Sequence, residues 1–266
     1  MQGRVLIVAG SDSGGGAGIQ ADIKAVTALG GYAATAITAL TAQNTQGVFG
    51  IHDVPVEFIT RQMELVLDDI GADCIKFGML SQPEVIEAAA GVLDAKAAGI
   101  PVVLDPVMVA KGGAKLLAPE AVETLKSVLV PRAAVVTPNL PEAESLAGRA
   151  EGGLDGAETL ARDLLALGPK AVLLKGGHRD GGEVVDLLVS GDGVARFAGP
   201  RIDTPNTHGT GCTLASAIAT GIAQGLALEA AVARARDYVI EAIRTAPGFG
   251  SGHGPLNHGH TVGAGQ

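Results

Sequence analysis

Short, almost wholly apolar runs recur along this chain, and each stops at a polar or glycine-bearing segment. Arg4–Ala9 stops at Gly10-Ser-Asp, Pro101–Leu104 at Asp105, Ala133–Val136 at Thr137-Pro-Asn139, and Ala171–Leu174 at Lys175-Gly-Gly. A strand that is apolar on both faces has to be covered on both faces, which is the situation of a parallel sheet. The intervening segments have helical spacing: Ile19–Leu29, Val54–Asp69, Pro83–Ala98, Pro119–Val130, Pro141–Ala147 and Leu154–Leu167. Tyr32–Leu40 and Asp73–Phe77 add strands. Glu183–Val189 and Ala195–Pro200 form a hairpin around Gly191-Asp-Gly, and helices Thr213–Gln224 and Leu228–Thr245 close the chain. Alternation of this kind predicts an α/β fold with a mostly parallel central sheet and helices on both faces. Ligands of such sheets bind at the carboxyl ends of the strands, so Asp105, Asn139 and Lys175 are expected on one edge.

The segment Asn206-Thr-His-Gly-Thr-Gly-Cys-Thr213 adds chemistry to that frame. Gly209-Thr210-Gly211 is a turn that lets backbone N–H groups converge, and an apolar helix follows it. Free amides at a helix N-terminus, together with the helix dipole, favour an anion of phosphate size. Cys212 falls on the first turn, where a thiol pKa tends to drop towards neutrality. His208, just before the turn, reads as a group that positions it.

Composition narrows the alternatives. With 266 residues, 47% of them hydrophobic, the chain suits one large domain over 1–266. The net charge of -9 with no basic run argues against a nucleic-acid surface. Cys74 and Cys212 are far apart and no CxxC occurs, which suits a reducing, cytoplasmic setting with neither disulfide framework nor zinc knuckle. The Val5–Ala9 run is too short for a secretory signal. Ala25–Ile51 carries no charge, but Gly30, Gly31, Gln43 and Asn44 interrupt it, so no membrane span is expected there. The Gly/His-rich tail from Gly248 is the one segment expected to lack order, chiefly over 256–266.

The glycine loop Gly10–Gly18 fits neither the dinucleotide fingerprint nor a Walker A loop, because Ile19 follows where glycine is needed and no Gly-Lys pair exists. It reads either as a plain βα turn or as backbone closing on a small flat ligand, with Asp22 one helical turn on as partner for an exocyclic amine. Asp105 and Glu142 are two hard oxygen donors at strand and helix ends. With phosphate oxygens and water they suit Mg²⁺, although Glu142 also suits a helix dipole alone.

Seven segments in order resemble the ribokinase superfamily, and most closely its hydroxymethylpyrimidine/phosphomethylpyrimidine kinase branch. They are Ala9–Asp22, Ala39–Thr45, Lys76-Phe-Gly-Met-Leu80, Leu104–Met108, Thr137–Ala143, Lys175-Gly-Gly-His178 and Asn206–Thr213, and the likeness runs to about His258. The resemblance implies a ribokinase-like three-layer α/β/α fold. It implies an ATP-dependent phosphotransferase that phosphorylates 4-amino-5-hydroxymethyl-2-methylpyrimidine and then its monophosphate in thiamin synthesis; pyridoxal kinase is the alternative within the branch. It implies that Gly209, Thr210 and Gly211 bind the transferring phosphate and that Cys212 stands where sugar kinases carry an aspartate base. Gly10, Asp22, Gln43, Met79 and Val107 fall where the family holds the pyrimidine. Thr137, Asn139 and Lys175 are assigned to nucleotide, Asp105 and Glu142 to Mg²⁺. Val109–Lys115 resembles the mobile loop, in which Lys111 or Lys115 reaches phosphate. A homodimer is the assembly that the resemblance implies.

Overall fold

A computed structural model of the protein describes residues 1–109, 113, 116–150, 154–177 and 182–262. Lys111, Lys115 and His178 lie outside the described residues, and with them the phosphate contact expected of either lysine.

Within the described residues nine strands form one sheet in the order β3-β2-β1-β4-β5-β6-β7-β8-β9. The central strands are β1 (Arg4–Asp12), β2 (Tyr32–Asn44), β4 (Cys74–Phe77), β5 (Val102–Leu104), β6 (Val135–Val136) and β7 (Ala171–Leu174). They are parallel throughout. The edges are antiparallel: β3 (Gly47–Asp53) pairs with β2, and the hairpin β8 (Glu183–Ser190) and β9 (Gly193–Pro200) continues from β7. The order reverses at β1, which has β2 on one side and β4 on the other.

Alternation along β1 sorts the core into two layers, because successive side chains point to opposite faces. Leu6 and Val8 pack with α2 (Val56–Asp69), α3 (Pro83–Lys96), α4 (Pro119–Thr124), α5 (Leu140–Ala147) and α6 (Leu154–Leu165). Val5, Ile7 and Ala9 pack with α1 (Gly18–Ala28), α7 (Thr210–Ala223) and α8 (Leu228–Arg244). The three-layer α/β/α arrangement expected from the strand composition is therefore present. The helix predicted over Pro119–Val130 is broken: α4 gives way to a π-helical turn over Leu125–Leu129 and a 3₁₀ turn over Val130–Arg132, where Pro131 cannot donate to the helical ladder.

The structure corrects two expectations. It adds the strand β3, which no sequence pattern predicts, because Gly47–Asp53 lies mostly exposed and carries no buried apolar face to reveal it. The tail does not fray over residues 256–262: it packs back on the domain, with Leu256 4% and His258 5% exposed. His253 donates its backbone N–H to Thr45, and Asn257 donates to Ala242. The uncharged stretch 25–51 runs through the end of α1, β2 and most of β3. Among the described residues no helix is long and apolar enough to cross a membrane.

Candidate active site

The carboxyl ends of β1, β4, β5, β6 and β7 open into one cavity of about 1110 Å³. Its wall carries Gly10, Gln43, Met79, Val107, Asp105, Asn139, Glu142, Lys175 and the turn Gly209–Cys212. Most of the residues singled out from sequence thus meet around a single space.

The anion turn is built by two glycines. Gly209 caps α7 at φ 82°, a left-handed conformation that side chains resist, and a Cβ there would overlap the carbonyl oxygen of Gly16. Gly211 faces Lys175 and Asp105: a Cβ on it would stand 3.3 Å from Lys175 Nζ and 3.5 Å from Asp105 Oδ2. Among the described residues no acceptor meets the amides of Gly211 and Cys212, so both N–H groups are free for a ligand. An ammonium and two unpaired amides therefore converge on the same spot.

Behind that spot lies a chain of charges. Lys175 Nζ is 3.0 Å from Asp105 Oδ1 and 3.9 Å from Glu142 Oε2. Glu142 closes a capping box at the start of α5: its Oε2 accepts from Asn139 N at 2.8 Å, and its own N–H donates to Asn139 Oδ1 at 2.9 Å. Burial pushes the Glu142 carboxyl up to about 7, with Lys175 opposing and Asp105 adding to the rise. Burial would lower the Lys175 ammonium, but Asp105 and Glu142 outweigh it and hold the pKa above its ordinary value.

Two expected site residues do not line the cavity. Asp22 is fully buried behind it, with Oδ2 on Lys76 Nζ at 2.8 Å and Oδ1 receiving Ser216 Oγ at 2.7 Å. Both oxygens are taken, so Asp22 is not placed to hold a substrate amine. Thr137 is also fully buried, and its hydroxyl donates to Asp105 Oδ1 at 3.1 Å; it orients that carboxylate and does not face a nucleotide.

Cys212 is a half-buried residue on the cavity wall. Its expected acidity is corrected. Burial pushes the thiol up to about 12, Lys76 opposes the rise, and Asp22 and Asp105 add to it. Loss of water outweighs the helix N-terminus here.

Three neighbours carry more of the site than their sequence context suggests. Lys76 sits in an apolar strand and reaches the cavity wall while fully buried; a lone lysine between Ile75 and Phe77 is the signal that marks it. Asp12 accepts from the amides of Gly14 at 2.8 Å, Gly16 at 3.1 Å and Ala17 at 2.8 Å, which shapes the glycine loop. Burial would raise its carboxyl, but the hydrogen bonds from His208, Ala17 and Gly14 hold it below the usual range. His208 Nε2 meets Asp12 Oδ2 at 2.9 Å and lies 3.2 Å from Gln43 Nε2, so His208 ties the anion turn to the glycine loop. Gly10 lies at a register shift between β1 and β2, and a Cβ there would stand 3.2 Å from Met79 Sδ, so the loop starts against the wall formed by Met79.

Free amides, a cation and buried carboxylates around one cavity serve phosphoryl transfer, and the doubly covered sheet places the molecule among the kinases of ribokinase-like fold. The phosphomethylpyrimidine kinase family profile matches residues 12–257, and the chain belongs to that family. The hydroxymethylpyrimidine/phosphomethylpyrimidine kinase of Bacillus subtilis is 45% identical over 256 residues, which cover 96% of this chain and 94% of that protein. The thiamine biosynthesis bifunctional protein ThiED of Geobacter sulfurreducens is 54% identical over 257 residues, 97% of this chain but 52% of the longer protein, so the chain spans about half of that relative. Among solved structures, the ADP complex of Bacillus subtilis pyridoxal kinase is similar with a TM-score of 0.90 and 35% identity, covering 97% of this chain and 98% of that one.

Proposed function

We propose that the protein transfers the γ-phosphoryl group of ATP to the hydroxymethyl oxygen of 4-amino-5-hydroxymethyl-2-methylpyrimidine, and then phosphorylates the resulting monophosphate, in thiamin biosynthesis. The observation that carries this reading is that the Cys212 thiol shares one cavity wall with the free amides of its own turn and with Asp105, Glu142 and Lys175. The name of the Bacillus subtilis relative supports the same reaction pair, and that of ThiED supports thiamin biosynthesis.

In the first step the hydroxymethyl oxygen bonds to Pγ while the bond from Pγ to the bridging oxygen breaks, and ADP leaves. The Gly211 and Cys212 amides and the Lys175 ammonium offset charge on the equatorial oxygens, an effect often worth ~3–4 kcal/mol per donor. Gln43, Met79 and Val107 hold the ring, with Gly10 against Met79. Cys212 takes the hydroxyl proton. At neutral pH its thiolate is a minor species, yet burial makes that thiolate a stronger base than an ordinary one, closer to the nascent alkoxide. In the second step the nucleophile is a phosphate oxygen that is already anionic and needs no base.

Asp105 and Glu142 fit Mg²⁺ as donors. Asp105 Oδ2 has no hydrogen bond among the described residues, and both side chains reach the cavity wall. Among the described residues no group of three or more potential ligands converges, so an ion held by Asp105 and Glu142 would take its remaining ligands from phosphate and water. When bound, the ion supplies neutralisation of the phosphate charge.

A second reading, pyridoxal kinase activity alone or alongside, draws support from the likeness to the Bacillus subtilis pyridoxal kinase structure. A cytoplasmic homodimer is the setting attached to the proposal, and the two free thiols suit a reducing compartment. The test is ADP release measured side by side with hydroxymethylpyrimidine, its monophosphate and pyridoxal. Turnover of both pyrimidines is expected; turnover of pyridoxal alone transfers the assignment, and indifference to all three removes it.

A further inference from the structure

Lys76 and Asp22 form an ion pair at 2.8 Å in which both side chains are fully enclosed. Such a pair contributes little net stability, because desolvation offsets the attraction, so its placement calls for a reason. The pair sits under the reactive end of α7. Ser216 lies four residues after Cys212 and shares its helix face, and the Ser216 hydroxyl donates to Asp22 Oδ1 at 2.7 Å. The other oxygen of Asp22 holds Lys76, whose Nζ stands 2.9 Å from where a Cβ on Gly78 would be, at the cavity wall. A side chain at 78 would press on that ammonium and on Ala9. Of the three N–H donors of Lys76, Asp22 takes one, and Lys76 and Cys212 line the same cavity.

We propose that Lys76, fixed by Asp22 and through it by Ser216, is a positioning residue whose buried ammonium stabilises the thiolate of Cys212. The other groups acting on the sulfur are Asp22 and Asp105, which disfavour the thiolate, and Lys175 and the Gly18 amide, which favour it. Lys76 lines the cavity together with Cys212 whereas Asp22 lies behind it, so removing both together still costs the thiolate support. The inference deepens the reading of Cys212 as proton acceptor and rests on that reading for its meaning in catalysis; its test does not depend on turnover.

The test is the rate of iodoacetamide alkylation of Cys212 in the intact protein without nucleotide, followed by mass spectrometry from pH 6 to 10. Cys74 is fully buried and serves as the unreactive internal reference. The double variant Lys76→Met/Asp22→Asn removes the pair without leaving an orphaned charge. With its fold verified by circular dichroism, it is expected to alkylate roughly tenfold more slowly at pH 8, with the rate profile displaced to higher pH. An unchanged profile overturns the proposal. A protein whose double variant shows this shift, yet which releases no ADP with either pyrimidine, keeps this inference and loses the kinase assignment, and the reverse pattern does the opposite.

Discussion

Thr213 Oγ1 and His258 Nε2 lie 2.9 Å apart in the protein interior, joining the C-terminal tail to the residue after the reactive thiol. Burial holds the His258 imidazole down at about 4, so it is neutral in the folded protein at physiological pH. A base with a depressed folded pKa contributes stability above its unfolded value near 6.5, and that stability is lost as pH falls towards 4. The loss amounts to about 3 kcal/mol by proton linkage. Thermal unfolding should therefore show Tm dropping across that interval, and His258→Gln should flatten this part of the profile. A variant with the parent's full slope would assign the effect to other groups.

Cys212→Ala should slow the first phosphorylation about 10²-fold or more while leaving the second nearly intact, because only the first nucleophile carries a proton that must leave. Cys212→Asp should recover part of the first step. Separate steady-state rates with the alcohol and the monophosphate decide the matter; equal losses in both would reduce Cys212 to an anion-positioning group.

Gly209→Ala combines a left-handed backbone with an overlap against Gly16. The expected outcome is a loss of about 2 kcal/mol or more in urea unfolding, together with weaker ATP binding, because the turn and the glycine loop have to separate. Unchanged nucleotide affinity in a folded variant would show that the turn does not form the phosphate cradle.

Chelation of divalent cations should abolish ADP release, and added Mg²⁺ should restore it. Asp105→Asn should raise the Mg²⁺ concentration needed for half-maximal rate. A rate independent of chelator would remove Asp105 and Glu142 from any metal role and leave them as partners of Lys175, which they already contact.

The central sheet is legible in the sequence because the bodies of β1, β5, β6 and β7 are apolar on both faces and are followed by residues that cannot be buried cheaply. Most of the cavity wall follows from those endings. The departures have physical causes. Closeness to the glycine loop points Asp22 at the ligand, yet Ile19, Asp22 and Val26 lie on one buried stripe of α1, so its helical phase turns it inwards. The tail has the composition of a disordered segment, and only the tertiary contacts of Leu256 and His258 order it. The acidity of Cys212 depends on how much water reaches the sulfur, a quantity that no local pattern encodes.

The anion turn is held by two segments far apart in the polypeptide: Asp12 grips His208 from one side, and Gly254 and His258 brace the turn and its helix from the other. During synthesis Asp12 emerges early and waits for its counterpart. A nascent chain therefore lacks these two braces of the anion turn until residues 254–258 have cleared the ribosome.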